Sequence, residues 1–162
     1  MSMNIKALWE QVNSHRFHGC LSHLKTTESR RRRKEDEDPL NVSAFIKDED
    51  KLLSSKSVRL LGRKTQVFTD AKKLTRTRDA HVKEVVARSV TISDILGLNT
   101  DLVRAAVWGH DMGHGPFGHQ GEAWLAKAMG RPFCHEVMGP IIAQKIERKG
   151  QGLNLNWHTL EL

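Results

Sequence analysis

The densest group of metal-binding and acid–base side chains in this sequence lies in residues 108–122. The stretch reads Trp-Gly-His-Asp-Met-Gly-His-Gly-Pro-Phe-Gly-His-Gln-Gly-Glu, so three histidines, an aspartate and a glutamate stand among glycines. Imidazole and carboxylate groups bind divalent metals and also carry protons. Because glycine leaves the backbone free to bend, these groups can reach one small volume. The combination predicts metal-assisted hydrolysis.

A metal held by imidazole and carboxylate groups needs ligands from more than one helix, because neighbouring residues of a helix point about 100° apart. His110 and Asp111 end one predicted helix, and His81 lies near the start of another. A lone histidine such as His81 is more often a packed core residue than a ligand, but the His-Asp pair favours the ligand role. Mn²⁺ or Mg²⁺ is the expected ion, with Fe and Zn²⁺ left open.

A second candidate pair, His119 and Glu122, stands three residues apart and can contact across one helical turn. A carboxylate beside an imidazole stabilises its charged form, so His119 could act as a proton donor to a leaving oxygen or as a nucleophile. The alternative is that His119 caps a helix and Glu122 is an ordinary acid of its first turn. His114, between the two groups, is left open as a substrate contact or a packing residue.

The bulk composition indicates one soluble domain. The chain has 162 residues, is 38% hydrophobic and 28% charged, and has no apolar run near the roughly 20 residues that span a bilayer. Its N-terminus has no export signal, so we expect a cytoplasmic protein without membrane contact. Cys20 and Cys134 are far apart and are expected to be reduced and structural.

The net charge of +7 favours polyanionic partners, which could be phosphate-bearing small molecules or nucleic acid. The alternative is a basic surface that is merely solvated. Residues 1–42 are expected to form a short N-terminal helical segment and a charged linker. Within it, residues 30–34 are basic and residues 35–38 acidic, so a flexible, solvated loop is favoured over a phosphate-binding arm.

Residues 43–162 predict an all-α helical bundle. A long amphipathic helix is expected over residues 79–96, closed by Gly97, and further helices are expected up to His110, over 122–129 and over 137–148. Residues 65–69 are the only stretch that looks extended. The residues expected on the buried stripe of the long helix are His81, Val85, Ser89, Ile92 and Leu96, widened by Val82, Val86 and Val90. Asn99 and Asp101 are candidate caps of the helix that follows.

These motifs resemble the HD-domain superfamily, specifically its deoxyguanosine-triphosphate triphosphohydrolase branch. The resemblance rests on His81 and on the whole run 109–122, which contains the His110-Asp111 pair. Further similar segments follow the same order, namely residues 63–68, 76–78, 133–137 and 152–157. From about Phe45 to the last residue the likeness is nearly continuous.

The resemblance implies an HD-domain helical bundle and a metal-dependent dNTP triphosphohydrolase, which releases a deoxynucleoside and inorganic triphosphate. It also implies homo-oligomers for complete family members. The implied metal ligands are His81, His110 and Asp111; the implied catalytic pair is His119 and Glu122; and the implied substrate contacts are Gln66 and Arg78, with His114 as a further candidate. A guanidinium at Arg78 suits bidentate contact with phosphate oxygens, whereas its alternative is a surface ion pair with Asp79 or Asp94.

The sequence departs from the family pattern in two respects. The family completes its metal shell with an aspartate on a later helix, so we expect this chain, which ends at Leu162, to be the N-terminal part of a larger helical fold with three of four ligands. In addition, Leu60 removes a positive charge and Asp79 adds a negative one near the expected phosphate site. Both replacements would disfavour triphosphate.

The sequence is compatible with three hypotheses about function. The first is the dNTP triphosphohydrolase-like enzyme. The second is a non-catalytic subunit that binds nucleotide or single-stranded nucleic acid through its basic surface. The third is a shortened relic that folds poorly because apolar residues near its end lack cover; these are Leu153, Leu155, Trp157 and Leu160.

Overall fold

The computed structural model describes residues 31, 33, 42–66 and 76–161. The helix expected in residues 1–23 and the end of the extended stretch, residues 67–69, lie outside the described residues. The elements are α1 (Ala44–Leu53), α2 (Lys56–Leu60), a 3₁₀ turn (Leu61–Arg63), α3 (Arg78–Ile95), α4 (Thr100–Gly109), α5 (Gly118–Met129), α6 (His135–Ile141), a π-helical turn (Ile142–Ile146) and α7 (Trp157–Glu161).

The described part of the chain is all-α, as predicted. It has no β-strand there, only the isolated antiparallel bridges between Arg31 and Asn156 and between Thr65 and Thr77. None of the described helices is long and apolar enough to cross a bilayer. Helix α4 packs against both α1 and α3. The main core is formed by apolar residues of several elements, namely Leu52, Val58, Leu61, Val82, Val86, Met112, Ala143, Leu153 and Leu155.

Local capping signals define α3 and α4, the two helices that carry the first candidate ligands. Thr77 accepts a hydrogen bond from the N–H of Ala80 at 3.3 Å, and Asn99 accepts one from Leu102 at 3.1 Å. Gly97, with a φ of 65°, follows the C-cap of α3. The predicted cap at Asn99 and the predicted stop at Gly97 are therefore confirmed.

The predicted buried stripe of α3 was partly wrong. Ile92 and Leu96 are 56% and 62% exposed, whereas Val82, Val86 and Ser93 are buried. The apolar face of α3 is wider than the area that the neighbouring elements cover. Periodicity alone therefore could not tell which part of that face is buried. The buried side follows the Val82 and Val86 stripe, which was expected only to widen the face.

Helices α5 and α6 begin earlier than predicted; α5 ends at Met129 as predicted, whereas α6 ends earlier than predicted, at Ile141. Helix α5 starts at Gly118 rather than at residue 122, and α6 starts at His135 rather than at residue 137. Pro140 lies inside α6 and has no N–H to donate, and the chain becomes π-helical from Ile142 instead of continuing as an α-helix. The earlier start of α6 matters for the site, because it places His135 in a fixed helical position.

The chain after the π-helical turn folds back onto the core. Leu153 donates its N–H to the carbonyl of Ala143 at 2.7 Å, and both Leu153 and Leu155 are buried. The expectation that these two leucines would lack cover was therefore wrong. Trp157, by contrast, is 42% exposed, as expected.

A buried carboxylate on α1 connects Arg31, from the basic run 30–34, with residues at and just before α7. Asp48 on α1 is fully buried and forms an ion pair with Arg31. It also accepts hydrogen bonds from the N–H of Asn156 at 2.7 Å and from the hydroxyl of Thr159 at 2.8 Å. The charged composition around Arg31 had suggested a solvated loop, but the Arg31 side chain is buried and pairs with an acid on α1.

We expect Asp48→Ala to lower the free energy of unfolding by about 3–5 kcal/mol, since it removes a fully buried acid that pairs with Arg31 and accepts hydrogen bonds from Asn156 and Thr159. Asp50→Ala, on the exposed side of the same helix, is the matched control and should change stability by less than about 0.5 kcal/mol. Urea denaturation followed by circular dichroism measures both. Equal losses in the two variants would contradict this role of Asp48.

A second buried carboxylate, Glu147, caps α2. It accepts hydrogen bonds from the N–H and hydroxyl of Ser57 at 2.7 and 2.6 Å and from the N–H of Lys56 at 3.3 Å. Burial alone would raise the pKa of Glu147, but these hydrogen bonds outweigh it and hold the pKa below the ordinary value of 4.5. The carboxylate form is therefore the stabilising one.

Because the pKa of Glu147 is lower in the folded state, its stabilisation is present above pH 4.5 and is lost as the pH falls through the folded value. We expect Glu147→Gln to destabilise the protein by about 1–2 kcal/mol at neutral pH. The difference from wild type should shrink in acid. Denaturation at neutral and acidic pH measures this, with Glu161→Gln as an exposed control; a pH-independent difference would contradict it.

Candidate active site

The site is assembled where α3, α5 and α6 meet the turn that follows α4. His81 lies in the first turn of α3, and residues 110–114 form the turn, held by hydrogen bonds within residues 109–114. Gly113 lets this turn approach α6, because a Cβ at that position would overlap the carbonyl oxygen of His135 and lie 2.5 Å from the amide nitrogen of Gly139. A side chain at residue 113 would therefore separate the turn from α6.

The first group of ligands, here called the His–His–Asp cluster, consists of His81, His110 and Asp111. One ligand atom of each lies within 4.8 Å of the others, and the two imidazole rings are 5.9 Å apart. The Nδ1 of His110 lies 2.7 Å from the carbonyl oxygen of Val107. When Nδ1–H donates to that carbonyl, the Nε2 lone pair remains for a metal, which is the usual arrangement of a metal-binding histidine. The structure thus brings together all three residues that the sequence suggested as ligands.

Asp111 is the electrostatic centre of the site. Its carboxylate is buried, with Oδ2 at 2.9 Å from the Nη1 of Arg78 and Oδ1 at 3.3 Å from the Nε2 of His114. Burial alone would raise the pKa of Asp111, but the hydrogen bond from His114 and the charges of His110, His114 and Arg78 outweigh it and hold the pKa far below its usual range. The group therefore remains ionised, as a metal ligand must.

Arg78 occupies a buried position at the start of α3. Its alternative partners, Asp79 and Asp94, do not bind it; Asp79 pairs instead with Lys83 at 2.7 Å. The guanidinium lies directly against Gly118, where an added Cβ would overlap Nη2. Gly118 also has a φ of 56°, which strains other residues, so two independent constraints require glycine where α5 begins.

The second group, here called the His–Glu cluster, consists of His114, His119, Glu122 and His135. Glu122 Oε1 lies 2.6 Å from the Nδ1 of His114 and 2.9 Å from the Nδ1 of His135. The His114 and His135 rings are stacked with centroids 3.5 Å apart. One ligand atom of each of the four residues lies within 4.8 Å of the others.

The predicted direct contact between His119 and Glu122 is not formed among the described residues. The partners of Glu122 are His114 and His135, and His119 packs edge-on against their rings at 5.0 and 5.3 Å. Within α5, His119 is exposed, whereas the buried Glu122 carboxylate is engaged by His114 and His135, which come from outside the helix. His114 is buried, stacks on His135 and lies at the contact between the two clusters.

His135 is a site residue that the sequence reasoning missed. It belongs to the Phe-Cys-His-Glu segment that carried the resemblance, but it lies outside the glycine-rich run, and its meeting with Glu122 depends on the packing of α6. Burial, followed by the charge of His114, lowers the pKa of His135. Burial likewise lowers the pKa of His81, which favours the neutral imidazole that a metal requires.

Two residues before α3 complete the surroundings. Lys64 donates from Nζ to the carbonyl oxygen of His114 at 2.5 Å, and burial and the charge of Arg78 lower its pKa. Gln66, expected to contact substrate, donates its N–H to the carbonyl of Arg76 at 2.9 Å. Its side-chain Oε1 is buried without a hydrogen-bond partner in the described part of the chain. Lys64 was not identified from the sequence.

Comparison with known proteins agrees with this geometry. The family model described as "HD domain" matches residues 78–155, which contain both clusters. Three similar proteins are each named "Deoxyguanosinetriphosphate triphosphohydrolase-like protein". The one from Caldanaerobacter subterraneus subsp. tengcongensis is 41% identical over 136 residues, which cover 83% of this chain and 40% of the relative. The one from Cereibacter sphaeroides (strain ATCC 17029) is 42% identical over 141 residues, covering 83% and 37%, respectively.

The third relative, from Desulfatibacillum aliphaticivorans, is 38% identical over 131 residues, covering 80% of this chain and 37% of the relative. The matched part of the chain thus spans about two fifths of the length of these relatives. The matched domain contains the two clusters, and the similar proteins agree on one branch. Residues 78–155 of the chain therefore match the HD domain, and the chain is similar to deoxyguanosinetriphosphate triphosphohydrolase-like proteins.

Proposed function

We propose that this protein is a metal-dependent phosphohydrolase that converts a dNTP into a deoxynucleoside and inorganic triphosphate. The observation that carries the proposal is the contact between the two clusters: Asp111 of the His–His–Asp cluster faces His114 of the His–Glu cluster at 3.3 Å. A metal-binding group and an acid–base group therefore lie side by side. The names of the relatives supply the substrate class.

The residues of the His–His–Asp cluster fit a divalent cation. Two imidazoles and one carboxylate suit Mn²⁺ or Mg²⁺, and also Fe or Zn²⁺. When bound, such a cation would polarise a phosphoryl oxygen and acidify a bound water. His81 and His110 would supply nitrogen donors, and Asp111 would supply the anionic oxygen. Arg78 holds the Asp111 carboxylate in place through the ion pair with Oδ2.

Arg78 also has the geometry to bind a phosphate oxygen. Its Nη1 is used by Asp111, but its Nε is buried without a hydrogen-bond partner among the described residues. A buried guanidinium N–H without a partner is costly, so a ligand oxygen there would be favoured. Gln66 Oε1 is likewise buried without a hydrogen-bond partner among the described residues, and it could accept a hydrogen bond from a ribose hydroxyl or a base. Both residues were expected to contact substrate on the family pattern.

His119 is the residue best placed to exchange a proton with substrate. It is the exposed member of the His–Glu cluster, whereas His114, Glu122 and His135 are buried behind it. In the proposed reaction His119 donates a proton to the leaving oxygen. Glu122 contacts the stacked His114 and His135 rings behind His119 rather than His119 itself.

We expect the purified chain with Mn²⁺ to release a deoxynucleoside and triphosphate together from at least one of the common dNTPs, measured by anion-exchange chromatography. Asp111→Ala should reduce the rate of hydrolysis by about 100-fold or more, because it removes a metal ligand and the ion-pair partner of buried Arg78. Asp94→Ala, an exposed acid on α3, is the matched control and should retain the rate. Mono- or diphosphate products, or an active Asp111→Ala variant, would contradict the proposal.

Binding of single-stranded nucleic acid is a second candidate function, and a basic concavity favours it. This concavity, of about 520 Å³, is lined by Lys56, Arg59, Arg148 and Lys149. The carboxylate among its described lining residues, Glu147, is engaged in capping α2. Arg148 and Lys149 have positive φ angles of 53° and 59°, a conformation that costs non-glycine residues about 1–2 kcal/mol each. Strain of this kind often accompanies a binding role.

The double variant Lys56→Glu/Lys149→Glu should weaken binding of a labelled oligodeoxythymidylate by about tenfold or more at low salt, because it removes phosphate contacts. The control Lys127→Glu/Arg131→Glu makes the same change of charge on exposed positions of α5 and just beyond it. Fluorescence anisotropy across a salt series measures both. Equal weakening by the two double variants would show a net-charge effect and contradict a local site.

A further inference from the structure

Lys64 is joined to the site through both its backbone and its side chain. Its carbonyl oxygen accepts a hydrogen bond from the N–H of Arg78 at 2.8 Å, and its Nζ donates to the carbonyl oxygen of His114 at 2.5 Å. Arg78 pairs with Asp111 at 2.9 Å, and Asp111 contacts His114 at 3.3 Å. These four contacts form a closed ring. The Lys64 amine is therefore held near the ion pair of the site.

The backbone directs Lys64 to the same side as Gln66. Lys64 is extended, with a φ of −106° and a ψ of 131°, and Thr65 forms an antiparallel bridge with Thr77. Side chains two positions apart in an extended segment point to the same side. Gln66 is a proposed substrate contact, and its Oε1 is buried without a hydrogen-bond partner among the described residues. Lys64 thus lies on the side of the segment from which substrate would be bound.

Two cations at this place share one carboxylate. Asp111 forms its ion pair with Arg78, and Lys64 forms no ion pair within residues 42–66 and 76–161. Burial, followed by the charge of Arg78, lowers the pKa of Lys64, and the opposing effect of Asp111 is smaller. Like charges held together in a partly buried setting repel each other, because water screens them weakly. An anion in contact with both side chains would relieve this repulsion.

Both cations also have hydrogen-bond donors to spare. An ammonium group carries three N–H donors, and the carbonyl of His114 is the acceptor that the described residues provide for Lys64. Arg78 Nε is buried without a partner in the same part of the chain. The two side chains can therefore offer donors to more than one oxygen. A phosphate chain, with several charged oxygens, suits such a pair.

We propose that Lys64 is a substrate-binding residue which, together with Arg78, contacts oxygens of the phosphate chain. This inference rests on the proposed function and deepens it, because it names a residue that binds the triphosphate group without exchanging a proton. Loss of the Lys64 charge should therefore weaken binding of the phosphate chain more than it slows the chemical step. A purely structural link between residue 64 and the turn predicts lower stability instead.

The test measures binding of inorganic triphosphate to the full chain by calorimetry, in EDTA and without nucleotide. Lys64→Gln should weaken binding by about tenfold or more, because it removes the charge while keeping an N–H that can donate to the His114 carbonyl. Lys64→Arg should stay within about threefold of wild type, since it keeps the charge. The control Lys127→Gln makes the same change of net charge at an exposed position of α5 and should stay within about twofold.

Lys64→Met, of similar length, is a second uncharged variant, so that unfolding of Lys64→Gln, detected by circular dichroism, does not decide the result. It should lose affinity to a similar extent. Unfolding of both uncharged variants would show a structural role and overturn the inference, as would unchanged affinity in both or no binding of triphosphate by wild type.

Kinetics with Mn²⁺ and a dNTP separate this inference from the proposed function. Lys64→Gln should raise KM by about tenfold while changing kcat less. Hydrolysis with an unchanged KM in Lys64→Gln would overturn the role of Lys64 and leave the proposed function intact. Weakened triphosphate binding in a protein that hydrolyses no dNTP would overturn the proposed function and leave Lys64 as a phosphate-binding residue.

Discussion

The buried ion pair between Arg78 and Asp111 is the interaction on which the site depends. It joins the first residue of α3 to the turn after α4, and its two charges are each almost completely removed from water. A buried charge without its partner costs several kcal/mol, so these two elements cannot shift apart cheaply. His81 lies one helical turn beyond Arg78, and His110 precedes Asp111 in the chain. The ion pair therefore also fixes the distance between the two imidazoles that complete the His–His–Asp cluster.

The glycines of the site act chiefly by leaving space. The sequence suggested that glycine allows the backbone of residues 108–122 to bend, which holds for Gly118 with its positive φ. At Gly113 the decisive fact is instead the approach of the α6 backbone, which a Cβ would block. The Arg78 guanidinium likewise packs closely against Gly118, where a Cβ would overlap it. These contacts allow α6 and α3 to meet the turn closely enough for side chains from different helices to share one site.

The sequence predicted the features that local chemistry determines. The end of α3 at Gly97 and the cap at Asn99 follow from propensity and capping, whereas the meeting of His81 with His110 and Asp111 was implied by the family resemblance. What it did not predict depends on residues that are distant in the chain. Glu122 contacts His135 rather than His119, and Arg31 pairs with a buried acid on α1, because tertiary packing selects among several chemically equivalent partners.

The balance of charge supports the proposed phosphate-bearing substrate. Arg78 already neutralises Asp111, so a divalent cation at the His–His–Asp cluster would leave that half of the site with a surplus of about two positive charges, held in a partly buried setting where screening is weak. Lys64 adds a further nearby amine through its hydrogen bond to the His114 carbonyl. The acid at Glu122 contacts two imidazoles of the His–Glu cluster. An anionic ligand with several oxygens would restore neutrality, and the triphosphate of a nucleotide has that composition.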